Sequence, residues 1–92
     1  MKVEENVYLG KLFDAYGKLL SKGQQGIMGD YLNNDFTITE IAENLNVSRQ
    51  AVLDSISKGE KKLISFEKEL GLVEKIEELE KENKQLKELL KK

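Results

Sequence analysis

Apolar residues recur at helical spacing through the first third of the chain. Between about residues 5 and 20 they form one stripe, made of Leu9, Leu12, Phe13, Tyr16, Leu19 and Leu20. A stripe of this kind is typical of an amphipathic helix that buries one face. A second helix is predicted from about Lys22 to Asn33, because Ser21 and Gln24 have capping-box spacing at its start. Its buried residues are predicted to be Ile27, Met28, Tyr31 and Leu32.

Glycine recurs every three residues in this second helix, at Gly23, Gly26 and Gly29. Each lowers helix propensity by about 1 kcal/mol relative to alanine. Two interpretations are open: a close helix crossing, or a weak helix that depends on tertiary packing. A phosphate-binding loop is excluded, since no strand precedes the glycines and no Gly-Lys-Ser/Thr follows them.

Residues 36–62 have the pattern of a helix-turn-helix. Thr37 and Glu40 stand in capping-box spacing, ahead of an apolar face formed by Ile38, Ile41, Ala42 and Leu45. Asn46 tolerates the left-handed conformation that a tight turn needs. Val47 is predicted to be the apolar plug of the turn, and Ser48 is a good N-cap for the next helix.

The second helix of this unit is predicted to bury Val52 and Ile56. Arg49, Gln50, Leu53, Asp54, Ser57 and Lys58 then point outward. Arginine can bond guanine and glutamine can bond adenine through paired hydrogen bonds in the major groove. The candidate nucleic-acid-binding residues are Ser48, Arg49, Gln50, Ser57, Lys58, Lys61 and Lys62. The alternative is a helical hairpin that only packs, with its lysines in a solvated face beside glutamates.

The apolar face of this helix continues through Leu63, Phe66 and Leu70, with Gly59 in the one gap. Gly71 either caps the helix or marks a bend. Beyond Gly71, mainly apolar residues recur at intervals that alternate between four and three residues, as in a coiled coil. The predicted dimer interface consists of Leu72, Ile76, Leu79, Asn83, Leu86 and Leu90. A buried asparagine at such a position favours a two-stranded state with a defined register.

Charges beside this interface agree with parallel pairing. Lys75 would face Glu80 of a second copy, and Glu82 would face Lys87. The alternative is that this amphipathic helix packs back on its own domain. We therefore expect a helix-turn-helix domain over residues 1–71 and a coiled-coil-like helix over residues 72–92, in an all-α fold that forms a homodimer.

Composition narrows the function further. The chain has no cysteine and no histidine, which removes thiolate ligands and the commonest general base. We expect no enzyme activity, no metal site and no cofactor. No apolar run is long enough to span a bilayer, so no membrane insertion and a cytoplasmic location are expected.

The net charge of −2 is low for a DNA-binding protein. Residues 1–35 and residues 36–70 each carry one net negative charge, and residues 71–92 are neutral. Because phosphate neutralisation supplies much of the affinity for DNA, a single copy is expected to bind DNA weakly.

One set of segments is distinctive: residues 8–16 (YLGKLFDAY), 20–25 (LSKGQQ), 31–32 (YL), 39–43 (TEIAE) and 46–52 (NVSRQAV), together with Asp54 and Glu60. These segments resemble the YlxM family of small bacterial helix-turn-helix proteins, also called UPF0122. The resemblance covers about residues 8–72 and implies a fold similar to region 4 of sigma factors. It makes Arg49, Gln50 and Lys58 the DNA-facing residues.

The resemblance also implies a regulatory role linked to the signal recognition particle pathway. Two functions follow as hypotheses: a regulatory protein that binds DNA, or a protein or RNA-protein adaptor of that pathway that does not read DNA. Two outward residues, Leu53 and Asp54, fit the adaptor better than DNA contact. Leu53 can be part of a protein interface, and the Asp54 carboxylate is favourable beside DNA only opposite a cytosine amino group.

Overall fold

A computed structural model describes the backbone of residues 2–91 and the side chains of residues 6–91. The five α-helices are α1 (Lys2–Tyr16), α2 (Lys22–Leu32), α3 (Ile38–Leu45), α4 (Arg49–Leu70) and α5 (Leu72–Leu90). A 3-10 turn, Gly17–Leu19, follows α1. No strand occurs in the described part of the chain, so the predicted all-α class is confirmed.

The core lies where α1, α2 and α3 pack around α4. Its buried side chains are Leu9, Leu12, Tyr16, Leu20, Met28, Ile41, Ala42, Val52, Ile56, Leu63 and Val73. Each large apolar side chain in this set contributes about 1.5–3 kcal/mol through burial. Every helix supplies at least one member, so no single helix pair accounts for the core.

The first predicted helix ends earlier than residue 20. It passes into the 3-10 turn at Gly17, whose Cα faces the Phe13 ring so closely that an added Cβ would lie 3.0 Å from it. The tighter turn changes the direction of the following side chains. Leu20 remains buried, but the prediction that Leu19 joins the core is wrong, since it is 58% exposed.

The close helix approach involves a glycine of α4 and not the three glycines of α2. Gly59 of α4 lies against Met28 of α2, and an added Cβ would be 3.1 Å from the Met28 sulfur. Gly23 and Gly26 have no atom within 4 Å of such a Cβ, and Gly29 meets only the Phe13 ring at 3.8 Å. The α2 glycines therefore weaken that helix without providing its crossing.

The break between α4 and α5 is a left-handed glycine. Gly71 has φ 63° and ψ 25°, and its N–H donates to the Glu67 carbonyl at 2.8 Å. It caps α4, and α5 starts at the next residue. The predicted burial of Leu70 is wrong, because this side chain is 56% exposed just before the break.

The molecule is elongated, with extents of 57 × 26 × 24 Å. Val73, in the first turn of α5, is buried against the core. From Glu74 onward the described residues of α5 are exposed. Lys11 of α1 also reaches Glu77, with 3.3 Å between Nζ and Oε1. Only the start of α5 is therefore joined to the other helices.

Candidate nucleic-acid interface

The turn between α3 and α4 is held by caps on both sides. The predicted Thr37–Glu40 capping box is present, and Asn46 is left-handed at φ 55° and ψ 47°. The Asn46 and Val47 N–H groups donate to the Glu43 and Ala42 carbonyls, the bonding pattern of a Schellman motif. The turn thus closes through its backbone. Val47 is 46% exposed, so its predicted role as an apolar plug is wrong.

The start of α4 is capped by Ser48, as predicted. The Ala51 N–H donates to Ser48 Oγ at 3.0 Å, which satisfies one of the free donors at the helix start. At α2 only half of the predicted box forms. The Gln24 N–H donates to Ser21 Oγ at 3.3 Å, but the Gln24 side chain accepts a bond from Lys62 instead.

Buried residues determine which face of α4 meets solvent. Val52 and Ile56 are 0% and 5% exposed, and they pack into the core with Ile41 of α3. The opposite face is therefore directed outward. All of the candidate nucleic-acid-binding residues are exposed: Ser48, Arg49, Gln50, Ser57, Lys58, Lys61 and Lys62.

Gln50 is already engaged within its own helix. Its Nε2 donates to Asp54 Oδ1 at 2.9 Å. This bond orients the amide and also draws the Asp54 carboxylate toward the candidate reading face. The Gln50 amide keeps its second N–H and its Oε1 for a two-bond contact with adenine. Arg49 makes no ion pair with another described side chain.

One of the candidate lysines borders α2. Lys62 Nζ donates to Gln24 Oε1 at 3.2 Å. Lys58 and Lys61 are exposed on the same helix. Residues three or four apart lie on neighbouring parts of a helix surface, so these lysines form a basic strip beside the outward face.

Apolar side chains also surround the start of α4. Leu45, Val47 and Leu53 are 48%, 46% and 44% exposed. Leu53 can contact a thymine methyl group, whereas an exposed apolar set of this kind also suits contact with another protein.

A polar network that the sequence analysis missed joins α1, α4 and α5. The Tyr16 hydroxyl donates to Glu67 Oε1 at 2.6 Å and accepts the Leu72 N–H at 3.0 Å. The Glu67 carboxylate accepts the N–H groups of Val73 and Glu74 at 3.0 and 3.1 Å. These bonds satisfy the first amides of α5, which has no side-chain cap at Gly71.

Both groups titrate abnormally as a result. Burial, reinforced by the bond to Glu67, raises the pKa of Tyr16 above 10.0. The Tyr16 hydrogen bond, reinforced by the backbone amides of Val73 and Glu74, lowers the pKa of Glu67 below 4.5. Two features of the sequence could have indicated this network. A tyrosine in a buried stripe requires a hydrogen-bond partner for its hydroxyl, and a helix that starts directly after glycine requires another group to cap its first amides.

The predicted dimer interface is a solvent-facing strip on α5. Leu72, Ile76, Leu79, Leu86 and Leu90 are between 46% and 85% exposed, and Asn83 is exposed beside them. Within the described residues no group of acidic side chains could hold a metal ion. None of the helices in that part of the chain combines the length and apolarity needed to cross a membrane.

Comparison with known proteins points to one family. A family model described as "Putative helix-turn-helix protein, YlxM / p13 like" (UPF0122) matches residues 3–92. A UPF0122 protein of Acetivibrio thermocellus is 50% identical over 80 residues, covering 87% of this chain and 66% of the relative. The UPF0122 protein YlxM of Bacillus subtilis is 40% identical over 89 residues, covering 97% and 81%. A Clostridium acetobutylicum relative is 40% identical over 88 residues, covering 96% and 76%.

Proposed function

Because the chain belongs to the UPF0122 family of helix-turn-helix proteins, we propose that it is a regulatory protein that binds duplex DNA through α4. Residues 1–71 act as the reading domain and residues 72–92 as a pairing helix. The protein works in the cytoplasm as a homodimer, without a metal or cofactor.

The observation that supports DNA binding is the exposure of Arg49 and Gln50 at the capped start of α4. In helix-turn-helix proteins, the first residues of the second helix contact base edges. In this proposal Arg49 bonds guanine, and Gln50 bonds adenine with the N–H and Oε1 that its bond to Asp54 leaves available. Lys58, Lys61 and Lys62 follow on the same helix as phosphate contacts.

Charge explains why two copies are needed. With a net charge of −2, a single copy has no overall attraction for phosphates beyond that of Arg49 and the lysines beside α4. Pairing through the exposed strip of α5 joins two reading helices in one particle. Such dimers bind half-sites separated by about 34–36 Å, one turn of DNA.

The test is a salt-titrated binding assay on protein of measured oligomeric state, using random duplexes followed by selected ones. Arg49→Ala should lower affinity for a selected duplex by about 10- to 100-fold, equivalent to roughly 1–3 kcal/mol, and relax one base position. Lys58→Ala should weaken binding to all duplexes and reduce the salt slope by about one. Lys84→Ala, on exposed α5, is the matched control. Equal, weak affinity of wild type and Arg49→Ala for every duplex would rule out base reading.

A second candidate function is supported by the apolar residues around the turn. Exposed apolar side chains favour contact with another protein, and three lie here: Leu45, Val47 and Leu53. The net charge of −2 favours a role that does not require binding to DNA. The chain would then be an adaptor of the signal recognition particle pathway. Leu53→Ser should abolish binding to the particle's protein or RNA-protein component while Arg49→Ala preserves it. Failure to bind either component at high protein concentration would count against the adaptor.

A further inference from the structure

A cleft of about 250 Å³ lies between α1 and the first half of α5. Its apolar part is formed by Ala15, Val73 and Ile76, and its charged part by Lys11, Asp14, Glu77 and Glu80. Lys11 is paired with Glu77 at 3.3 Å. Asp14 and Glu80 form no ion pair with another described side chain. The cleft therefore contains two carboxylates that have no ion-pair partner among the described side chains, one on each helix.

This cleft continues into the exposed strip of α5. Ile76 and Glu80 line both the cleft and a shallow hollow shared with Leu79 and Asn83. At about 100° per residue, the strip is centred roughly a quarter turn around α5 from Val73, which faces the core. A helix lying on the strip consequently lies beside α1 as well.

We propose that the second copy places its α5 along this strip in parallel, and that its Lys75 occupies the mouth of the cleft between Asp14 and Glu80. The proposal rests on the homodimer in the proposed function and adds α1 to its interface. In a parallel pair with this heptad register, Lys75 of one copy is directed at Glu80 of the other. Because Glu80 shares the cleft with Asp14, the same lysine comes within reach of both carboxylates.

Lys75 is free to take this position. It is the only cation between residues 72 and 80, and its side chain is 67% exposed. Its bond to Glu78 within the same helix is long, at 3.9 Å, and an exposed pair of this kind holds its partners weakly. Two-fold symmetry repeats the new contact, so each dimer contains it twice.

The consequence is a dimer in which both α1 and α5 of one copy contact α5 of the other copy. Contact at α5 alone would join the two copies only through helices whose first turns alone are bound to their own domains. Contact at Asp14 as well ties each α1 to the paired helices. The separation of the two α4 helices is then set by the interface.

The test measures self-association of the full chain by sedimentation velocity over a concentration series. Lys75→Glu and Asp14→Lys should each weaken self-association by about 3- to 10-fold, as expected for exposed charge pairs present twice per dimer. Asp14→Asn should weaken it less, in the same direction. Glu43→Lys, which reverses an exposed charge on α3, should leave it unchanged. Helicity measured by circular dichroism checks that each variant is folded.

Mixing the Lys75→Glu and Asp14→Lys copies should restore association, because the carboxylate introduced in one copy then meets the ammonium group introduced in the other. Native mass spectrometry should show the mixed dimer well above its statistical share. If Asp14→Lys and Asp14→Asn associate like wild type while Lys75→Glu is weakened, the copies pair through α5 alone and the cleft proposal is overturned, whereas the proposed homodimer stands. A wild-type chain that stays monomeric throughout the series overturns both.

Discussion

The Tyr16 hydroxyl donates a 2.6 Å hydrogen bond to Glu67 Oε1, and together these two side chains receive the first backbone amides of α5. The pair joins α1 to the end of α4 at the point where the chain leaves that helix through Gly71. The starting direction of the long C-terminal helix therefore depends on a tyrosine far away in the sequence.

Tyr16→Phe should loosen the start of α5. The change keeps the buried ring and removes its bonds to Glu67 and to the Leu72 N–H. Amide exchange at residues 72–74 should accelerate at least about ten-fold, because the lost bond to the charged Glu67 alone is worth about 1.5–3 kcal/mol. Hydrogen exchange with mass spectrometry measures this. Tyr8→Phe, at a tyrosine 45% exposed on α1, should leave the exchange unchanged.

Stability should depend on pH through Glu67. Since the folded pKa of Glu67 is lowered from 4.5, its contribution is present above the unfolded pKa and is lost as pH falls through the folded pKa. Glu67→Gln should therefore melt below wild type at neutral pH, and the difference in melting temperature should narrow as the pH falls below 4.5. For Tyr16, whose folded pKa is raised from 10.0, stability should fall as pH rises above 10.0. A constant gap between the melting temperatures of wild type and Glu67→Gln down to pH 3 would contradict the first expectation.

Two glycine-to-alanine changes should have opposite effects on the free energy of unfolding. At Gly26 an added Cβ meets nothing within 4 Å, so alanine should raise the free energy of unfolding by about 0.5–1 kcal/mol. At Gly59 the new methyl would press on buried Met28 at 3.1 Å. Overpacking of about 1–3 kcal/mol outweighs the helix gain there, leaving a net loss of about 1 kcal/mol. Urea unfolding distinguishes the two, and a gain at Gly59 equal to that at Gly26 would show that Met28 moves freely.

Asn83→Leu should raise the thermal stability of the paired form and broaden its choice of oligomer or orientation. The reason is that one polar residue at the centre of a coiled coil specifies register at a cost in stability. Light scattering combined with melting curves at several concentrations measures both effects. Gln85→Leu, outside the predicted strip, should not change the oligomer. If both wild type and Asn83→Leu remain monomers, pairing through α5 is excluded.

Local patterns in the sequence determined the helices and their caps. Thr37, Asn46 and Ser48 each act over a few residues, so their spacing alone predicted the capping box, the left-handed turn and the start of α4. The period of Val52 and Ile56 in the same way predicted which face of α4 is buried and which is exposed.

Tertiary structure decided the features that depend on distant contacts. The glycine that permits a close crossing of α2 and α4 is Gly59, because Met28 packs directly against it. The spacing of the three glycines in α2 had suggested that the crossing involved them. Tyr16 and Glu67 met because α1 packs beside the end of α4, a contact across 51 positions. Periodicity describes one helix at a time, whereas these contacts arise from how separate helices cross, so only the folded arrangement brings them together.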